Sequence, residues 1–417
     1  MYKSPAIAFF PVLFVAALVI AVPGLSGEEF AYKHAAGDRY RILSTVHEDV
    51  YINRRLSLRS EILNRIAVEV LDARGGTARH RAIFQTAERA QSGQSEDTMR
   101  AGQVVPGQSF LWAREYESEF ERDARGRLTI DKRFYMPVVR NVPVFPDRNL
   151  HIGDSWSAEG HEMHDFRDSF GIPDPYRIPF TANYTFLGDR EWQGKMYPAF
   201  SVSYRIFREP DPVAGTIWPR RIMGASDQVV FWDLELGQEV AYTEDFRMVF
   251  ELSDGRTVEY RGTAEAAIVE SPRMDKERTA QDINREIAEL GIPDVSVRIV
   301  DEGITISLED VQFQSNSAEL LPGEQAKLAK IAGILRRFPD RDILVGGHTA
   351  LAGTEKGRMQ LSRERAAAVA DYLIGEKVRG PERMVVRGYG AEKPLGNNRT
   401  EEGRRRNRRV EITILEN

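Results

Sequence analysis

The chain has 417 residues, of which 42% are hydrophobic and 29% are charged, and its formal net charge at pH 7 is −6. This composition is typical of folded domains rather than of disorder, and the length predicts roughly two or three domains. The acidic balance argues against bulk attraction to nucleic acid, so no nucleic-acid partner is predicted. The sequence contains no cysteine, which excludes a disulfide framework.

Residues 1–27 are predicted to be a secretion signal. Lys3 precedes an apolar run from Ala6 to Val22, and small residues follow before Glu28. We expect cleavage near Ser26. The alternative is an uncleaved anchor, because the run approaches the length of a membrane span of about 20 residues.

Residues 28–270 are predicted to form antiparallel β structure of unassigned role. Apolar and polar residues alternate in short segments, and turn-forming tetrapeptides separate them. The turn at 253–256 predicts a hairpin in which Phe250 lies near Val258. Many short strands with regular turns favour a sandwich or an open barrel. The candidate strands are 40–46, 66–71, 128–130, 182–187, 200–207, 228–232, 239–242, 246–252 and 257–260.

One segment of this region suggests metal chemistry. On a helix, His161 and His164 would share a face, with Asp165 or Asp168 as a third ligand. The H-E-x-x-H spacing does not occur there, so we expect a polar surface segment, with no metal site and no cofactor. No G-x-S-x-G elbow frames a serine, and the sequence therefore predicts no catalytic residue and no enzyme.

Residues 271–300 are predicted to connect two domains. Ile283, Ile287 and Leu290 recur at helical spacing, and Gly291 ends the helix. A strand at 295–300 follows, and a turn at 301–303 predicts a hairpin with the next strand. The helix is either a linker or a packing helix of the C-terminal domain, and the sequence leaves both open.

Residues 301–417 alternate between strand and helix patterns. This order predicts an α/β sandwich with helices on one face of a small sheet. Pro322 suits the first turn of a helix, and Pro339 follows its end. The predicted strands are 304–308, 341–347, 383–387 and 408–415, and the predicted helices are 322–338 and 358–375.

Short separated motifs are spread over about residues 304–415. They are Gly347-His348-Thr349, Leu361-Ser362, Arg365-Ala366, Gly388-Tyr389-Gly390, Pro394, Asn398, Thr400, Gly403-Arg404 and Asn407-Arg408-Arg409-Val410-Glu411-Ile412. Together they resemble the OmpA-like C-terminal domain family, and Phe313, Ser317, Ala318 and Leu320 fit the first strand and loop of that family. The resemblance implies the α/β sandwich described above and a periplasmic domain that binds peptidoglycan.

The resemblance also implies a site for the peptidoglycan stem peptide, in the loop that follows Thr349. In the family, an Asp directly after this Thr takes the amino group of diaminopimelate, and an Arg fifteen residues later takes a carboxylate. That Arg is Arg365, and a guanidinium offers a fork of donors that suits a carboxylate. The predicted site residues are Arg365, Thr349, Ala350, Leu351, Arg358, Asn407 and Arg408.

Two positions depart from the family pattern. Ala350 replaces the Asp, and Arg358 replaces an Asn seven residues before Arg365. Loss of one partner of a charge pair costs about 2–5 kcal/mol when the pair is buried and far less at an exposed rim. Binding to another diamino acid, or through the glycan, stays open. His348 is expected to be structural.

The sequence therefore predicts a non-catalytic protein of the periplasm, associated with the cell wall or the outer membrane. Its OmpA-like domain associates with peptidoglycan and links the β-rich region to the wall. The alternative is a divergent scaffold that has lost diaminopimelate binding and serves as a protein- or lipid-interaction module. An envelope protein that binds the β-rich region is a further expected partner.

Overall fold

The computed structural model describes residues 27–92, 110–212, 217–269, 274–309, 311, 313 and 320–416. The predicted signal sequence up to residue 26, together with Ser317 and Ala318, lies outside the described residues. Within the described ranges, no helix is both long enough and apolar enough to cross a bilayer.

The N-terminal region is a continuous antiparallel sheet, to which twelve strands of the described residues contribute. The strands are β1 (Arg39–Ile52), β2 (Arg55–Arg74), β3 (Thr77–Ser92), β4 (Phe110–Asp123), β5 (Leu128–Ile130), β6 (Val139–Arg140), β7 (Ser155–His164), β8 (Tyr176–Trp192), β9 (Lys195–Arg208), β10 (Pro219–Asp233), β11 (Gln238–Leu252) and β12 (Thr257–Val269). They pair in the order β5-β4-β3-β2-β1-β12-β11-β10-β9-β8-β7-β6. A short helix, α1 (Arg167–Phe170), follows β7.

This sheet confirms the prediction of a mainly antiparallel β region. The predicted hairpin is also confirmed, since Phe250 pairs with Val258 across β11 and β12. Two predicted strands, 239–242 and 246–252, are in fact one strand. Charged residues at Glu244 and Asp245 interrupt the apolar pattern there, although the backbone pairing with β10 continues through both.

Aromatic side chains fill the core of the β-rich region. Trp232 is fully buried, and its ring meets that of Phe145 edge to face with centroids 4.8 Å apart. Trp156 stacks on Tyr184 at 5.0 Å and donates its indole N–H to the carbonyl of Val144 (2.7 Å). Because aromatic rings bury large apolar areas, this cluster holds the sheet together.

The C-terminal region is an α/β domain with a five-stranded sheet. Its strands pair in the order β13-β14-β17-β15-β16, and the pairing of β15 with β16 is parallel. The helices pack on one face, which confirms the predicted α/β sandwich. The elements are α2 (Lys276–Glu289), β13 (Val295–Val300), β14 (Gly303–Glu309), α3 (Pro322–Leu335), β15 (Ile343–Gly347), α4 (Glu355–Gly375), β16 (Met384–Gly388), α5 (Glu401–Asn407) and β17 (Arg409–Leu415).

Helix α2 packs into the core of this α/β domain. Ile283 and Ile287 are buried together with Ile304 of β14 and Leu328 of α3. Strand β13 pairs with β14 from Val295 onward. Because α2 and β13 share the core and sheet of the C-terminal region, we propose to count them with that domain rather than with a linker.

The second face of the C-terminal sheet packs against the β-rich region. Leu344, Val385 and Leu415 form an apolar cluster with Leu63 of β2 and Phe110 of β4. Strand β16 also pairs in parallel with the start of β4. Burial on both faces explains why β15 and β16 read as continuous apolar runs.

A buried ionic cluster joins the two regions. The carboxylate of Asp342 lies 3.4 Å from Arg41 of β1, 3.4 Å from Arg65 of β2 and 2.8 Å from Arg383. The Asp342 side chain is 6% exposed. Burial lowers the pKa of Arg41 to about 10 even though Asp342 opposes this shift. One buried carboxylate therefore pairs with two buried guanidinium groups, those of Arg41 and Arg65, and with the half-buried group of Arg383.

Candidate functional site

The candidate site is built on the turn between β15 and α4. An added Cβ on Gly347, the last residue of β15, would lie 1.9 Å from the backbone oxygen of Ser362 and 3.2 Å from the Cβ of Ala366. Helix α4 therefore packs directly on the strand. Thr354 caps the helix by accepting a hydrogen bond from the Gly357 N–H (3.1 Å).

The fully buried Ser362 ties the two loops of the site together. Its hydroxyl donates to the carbonyl of Met359 (2.8 Å) and accepts from the backbone N–H of Gly390 (2.9 Å). The carbonyl of Gly390 then accepts from the N–H of Thr349 (2.7 Å). These bonds fix the predicted site loop, which begins at residue 348, against the loop that follows β16.

Asn407 organises the next loop from inside the domain. Its side-chain oxygen accepts from the N–H groups of Leu395 and Gly396, both at 2.8 Å. Its amide donates to Oδ1 of Asn398 (2.9 Å), which also accepts from the N–H of Leu351 (3.0 Å). The Asn407 side chain is fully buried, so it supports the site loop from behind.

Two further predicted residues have partners within the chain. Arg358 donates to the carbonyl of Gly353 (2.6 Å), which closes the loop ahead of α4. Arg408 donates to Glu401 (2.9 Å), a carboxylate that it shares with Arg404. Both guanidinium groups therefore shape the rim of the site through these contacts.

Arg365 is half-buried and lies beside an aromatic ring. Its guanidinium carbon is 5.1 Å from the centroid of the Phe313 ring, and Phe313 itself forms a bridge with Leu320. Such a cation–π contact helps to hold the guanidinium in place.

The predicted loop residues differ in their accessibility. Thr349 and Ala350 are both 7% exposed, whereas Leu351 is 61% exposed. The hydroxyl of Thr349 is buried and has no hydrogen-bond partner within the described part of the chain. Leu351 thus offers an apolar contact at the surface, while Thr349 and Ala350 form the buried part of the loop.

His348 lies beneath this loop, 2% exposed. Its ring stacks on Tyr389 with centroids 4.8 Å apart, and its Nε2 is 3.3 Å from Glu411. Burial lowers the pKa of the His348 imidazole. Burial alone would raise the pKa of Glu411, but a hydrogen bond from His348 and the charge of Arg409 hold it at about 2. These contacts agree with a structural role for His348.

The histidine segment of the β-rich region does not have the helical geometry that the alternative of a metal site requires. His161 and His164 belong to strand β7, where residues three apart point to opposite faces. Glu162 between them is buried, so the expectation of a polar surface segment was wrong for this residue. Among the described residues, no three or more His, Cys, Asp or Glu side chains are grouped to hold a metal ion.

Three residues that support the site, Ser362, Tyr389 and Glu411, had no predicted role. Ser362 and Tyr389 lie within quoted motifs, yet their bonding partners are distant in sequence. Glu411 could have been noticed, because it stands between Val410 and Ile412 in a strand that is buried at each of its other positions. A carboxylate on a largely buried strand requires a partner, and here the partners are His348 and Arg409.

Residues 312–408 match the model of the OmpA family, which confirms the predicted OmpA-like domain. The peptidoglycan-binding protein ArfA of Mycobacterium tuberculosis (strain ATCC 25618 / H37Rv) is 38% identical over 104 residues, or 25% of this chain and 32% of that protein. The probable lipoprotein YiaD of Escherichia coli (strain K12) is 36% identical over 121 residues, or 29% of this chain and 55% of that protein. The matches thus span 32% and 55% of these relatives' own lengths.

A solved structure also matches part of the chain. The cell wall anchor of the T6SS from Pseudomonas aeruginosa has 32% sequence identity and a TM-score of 0.29. The match covers 32% of this chain and 96% of that one.

Proposed function

We propose that this chain is a non-catalytic envelope protein whose OmpA family domain associates with peptidoglycan and links the β-rich region to the cell wall. The family match supports this, and so does the 38% identical relative that is named a peptidoglycan-binding protein. The N-terminal export pattern agrees with a position in the periplasm, at the cell wall or the outer membrane.

The observation that carries the proposal is the position of Arg365. It lies on α4, one helical turn beyond Ser362, which ties this helix to the loop of Thr349. The guanidinium is half-buried beside the ring of Phe313. A charge-assisted hydrogen bond to a stem-peptide carboxylate is therefore the interaction that this site supports best.

We expect this chain to bind the ammonium group of diaminopimelate more weakly than family members that keep the Asp. Ala350 provides no acceptor, and the guanidinium of Arg358 repels a cation. We infer that the site selects a stem peptide mainly through its carboxylate, with Leu351 as an exposed apolar contact. The identity of the diamino acid should then matter less than in relatives that keep the Asp.

A second candidate is the divergent scaffold, which binds an envelope protein or a lipid instead of the wall. Arg408 and Arg358 favour it, because their contacts with Glu401 and Gly353 lie within the chain. Arg365, which keeps the residue type of the family at the carboxylate-binding position, favours binding to peptidoglycan.

Co-sedimentation with purified sacculi tests the proposal. The change Arg365→Ala should weaken binding about tenfold, because it removes the donor to the carboxylate. Arg363→Ala, on the same helix, is the matched control and should bind like the wild type. Equal pelleting of the wild type and Arg365→Ala would contradict a role for this site.

Ala350→Asp should strengthen binding of a soluble stem peptide that carries diaminopimelate. The new carboxylate supplies an acceptor for the free ammonium, and we expect a gain of about tenfold in affinity. Calorimetric titration of both proteins with the same peptide measures this gain. A peptide with alanine in place of the diamino acid should show no gain, and an equal gain for it would refute the explanation.

A further inference from the structure

The β-rich region contains a cavity of about 510 Å³. It lies between β7 with α1 on one side and strands β9 to β12 on the other. Ligand pockets commonly have volumes of about 300–1,000 Å³, so this one has room for a small amphiphile. It is distant in sequence from the OmpA family domain and does not share a lining residue with the candidate site described above.

Strand β11 gives the cavity a polar end and an apolar end. Residues two apart on a strand share a face, and Glu244, Phe246, Met248, Phe250 and Leu252 all line the cavity. The face therefore begins with a carboxylate and continues with four apolar side chains. A ligand aligned with this strand would place its polar group near Glu244.

Two carboxylates meet at the polar end. Glu244 accepts hydrogen bonds from Ser226 (2.6 Å) and Gln228 (3.2 Å), both neutral. Glu162 of β7 is 5% exposed and accepts from the hydroxyl of Tyr204 (2.9 Å). The other oxygen of Glu162 lies 2.7 Å from Nε2 of His164, with which it shares a hydrogen bond. Within the described residues, no ion pair with an Arg or Lys involves Glu162 or Glu244.

A third carboxyl group lies at the mouth of the cavity. Glu48 lines both this cavity and an adjoining polar one of about 900 Å³, which also share Ala225, Phe246 and Arg247. Arg247 at this mouth is paired with Glu259 at 2.8 Å. Burial, together with the charge of Glu88, raises the pKa of Glu48 to about 7, and burial also raises the pKa of Glu244.

The apolar end is formed by α1 and the ends of β11 and β12. Phe166 and Phe250 are buried and meet edge to face at 5.9 Å, and Phe170 lies 6.1 Å from Phe250. Val258 of β12 lines the same end. An alkyl chain placed here would be removed from water, at a gain of about 0.8 kcal/mol for each buried CH₂ group.

We propose that this cavity binds a small amphiphile with an amine or ammonium head group and a single apolar chain. The head group would lie between Glu162 and Glu244, and the chain would extend toward Phe166, Phe250 and Val258. A cation there would pair with carboxylates that no described Arg or Lys compensates, while an anionic head group would be repelled. This site is independent of wall binding by the other domain.

Calorimetric titration of the full-length protein at pH 8 tests the proposal, with decylamine, decanoate and decanol as probes below their aggregation concentrations. Decylamine should bind with one site per chain and at least about tenfold more tightly than decanoate. Absence of decylamine binding, or equal affinity for decylamine and decanoate, would overturn the proposal.

Substitutions of cavity residues test whether decylamine binds in this cavity. Glu244→Gln and Glu162→Gln should each weaken decylamine binding about tenfold and leave decanol binding within about twofold. Glu265→Gln, at an exposed position of β12, is the matched control and should change neither affinity. Val258→Trp, which fills the apolar end, should abolish binding of all three probes.

Circular dichroism and the thermal midpoint identify any variant that fails to fold. If one Glu→Gln variant does not fold, the decylamine affinity of the other one decides whether the amine binds in this cavity. Unchanged decylamine affinity in a folded Glu→Gln variant, or full binding in folded Val258→Trp, would refute the assignment.

Discussion

Replacing Asp342 by alanine should lower the free energy of unfolding by about 3–5 kcal/mol, since it removes one partner of a buried ionic cluster. Arg41 and Arg65 come from the β-rich region, and their side chains are 10% and 4% exposed. Without the carboxylate at 3.4 Å, both guanidinium groups would stay buried without that compensating charge. Repulsion between them would also loosen the contact between the two regions.

Chemical unfolding, followed by tryptophan fluorescence and circular dichroism, measures this loss. Asp282→Ala is the matched control, because Asp282 forms an exposed pair with Arg285 on helix α2. Its effect should stay within about 0.5 kcal/mol. Similar small losses for Asp342→Ala and Asp282→Ala would show that the ionic cluster does not hold the two regions together.

Gly347→Ala should destabilise the C-terminal domain by about 3 kcal/mol, because the added methyl group has no space. It would meet the backbone oxygen of Ser362 at 1.9 Å, and a backbone atom of a packed helix cannot move aside easily. The helix would have to shift away from β15, which would also displace Arg365 from the site loop. Thermal unfolding and sacculus binding should therefore both be impaired.

Gly333→Ala is the control for this prediction. Gly333 is an exposed residue in the interior of α3, and no atom lies within 4 Å of an added Cβ. Alanine there should stabilise the protein by about 0.5–1 kcal/mol, since glycine is the poorer helix former. A Gly347→Ala variant as stable as the wild type would refute the proposed close packing of α4 on β15.

Local patterns predicted the C-terminal domain well because its elements are short and strongly periodic. Pro322 begins α3 as expected, and strand β13 has the predicted limits of 295 and 300. Strands β3 and β4 of the β-rich region were not predicted. Glutamates alternate with other residues from Glu115 to Glu121 in β4, and this residue type is uncommon in strands. Cross-strand pairs such as Arg81 with Glu119 (3.0 Å) stabilise these strands, and a single sequence does not show such pairs.

The contact between the two regions could not be predicted either. The apolar residues Leu344 and Val385 indicated that both faces of their strands are buried, but not what covers the second face. Their partners Leu63 and Phe110 are more than two hundred residues away in sequence. Similarly, the charge of Glu244 disrupted the strand pattern because that residue faces a cavity, which only the folded sheet creates.

Co-sedimentation of the wild-type protein with sacculi of its own bacterium, followed by competition with soluble stem peptides, tests whether the chain binds the wall through Arg365. We expect the protein to pellet with sacculi and to be released by stem peptides that carry free carboxylates, while peptides with amidated carboxylates should not release it. Protein that stays in the supernatant with sacculi present, or that amidated and free peptides release equally, would contradict wall binding through Arg365.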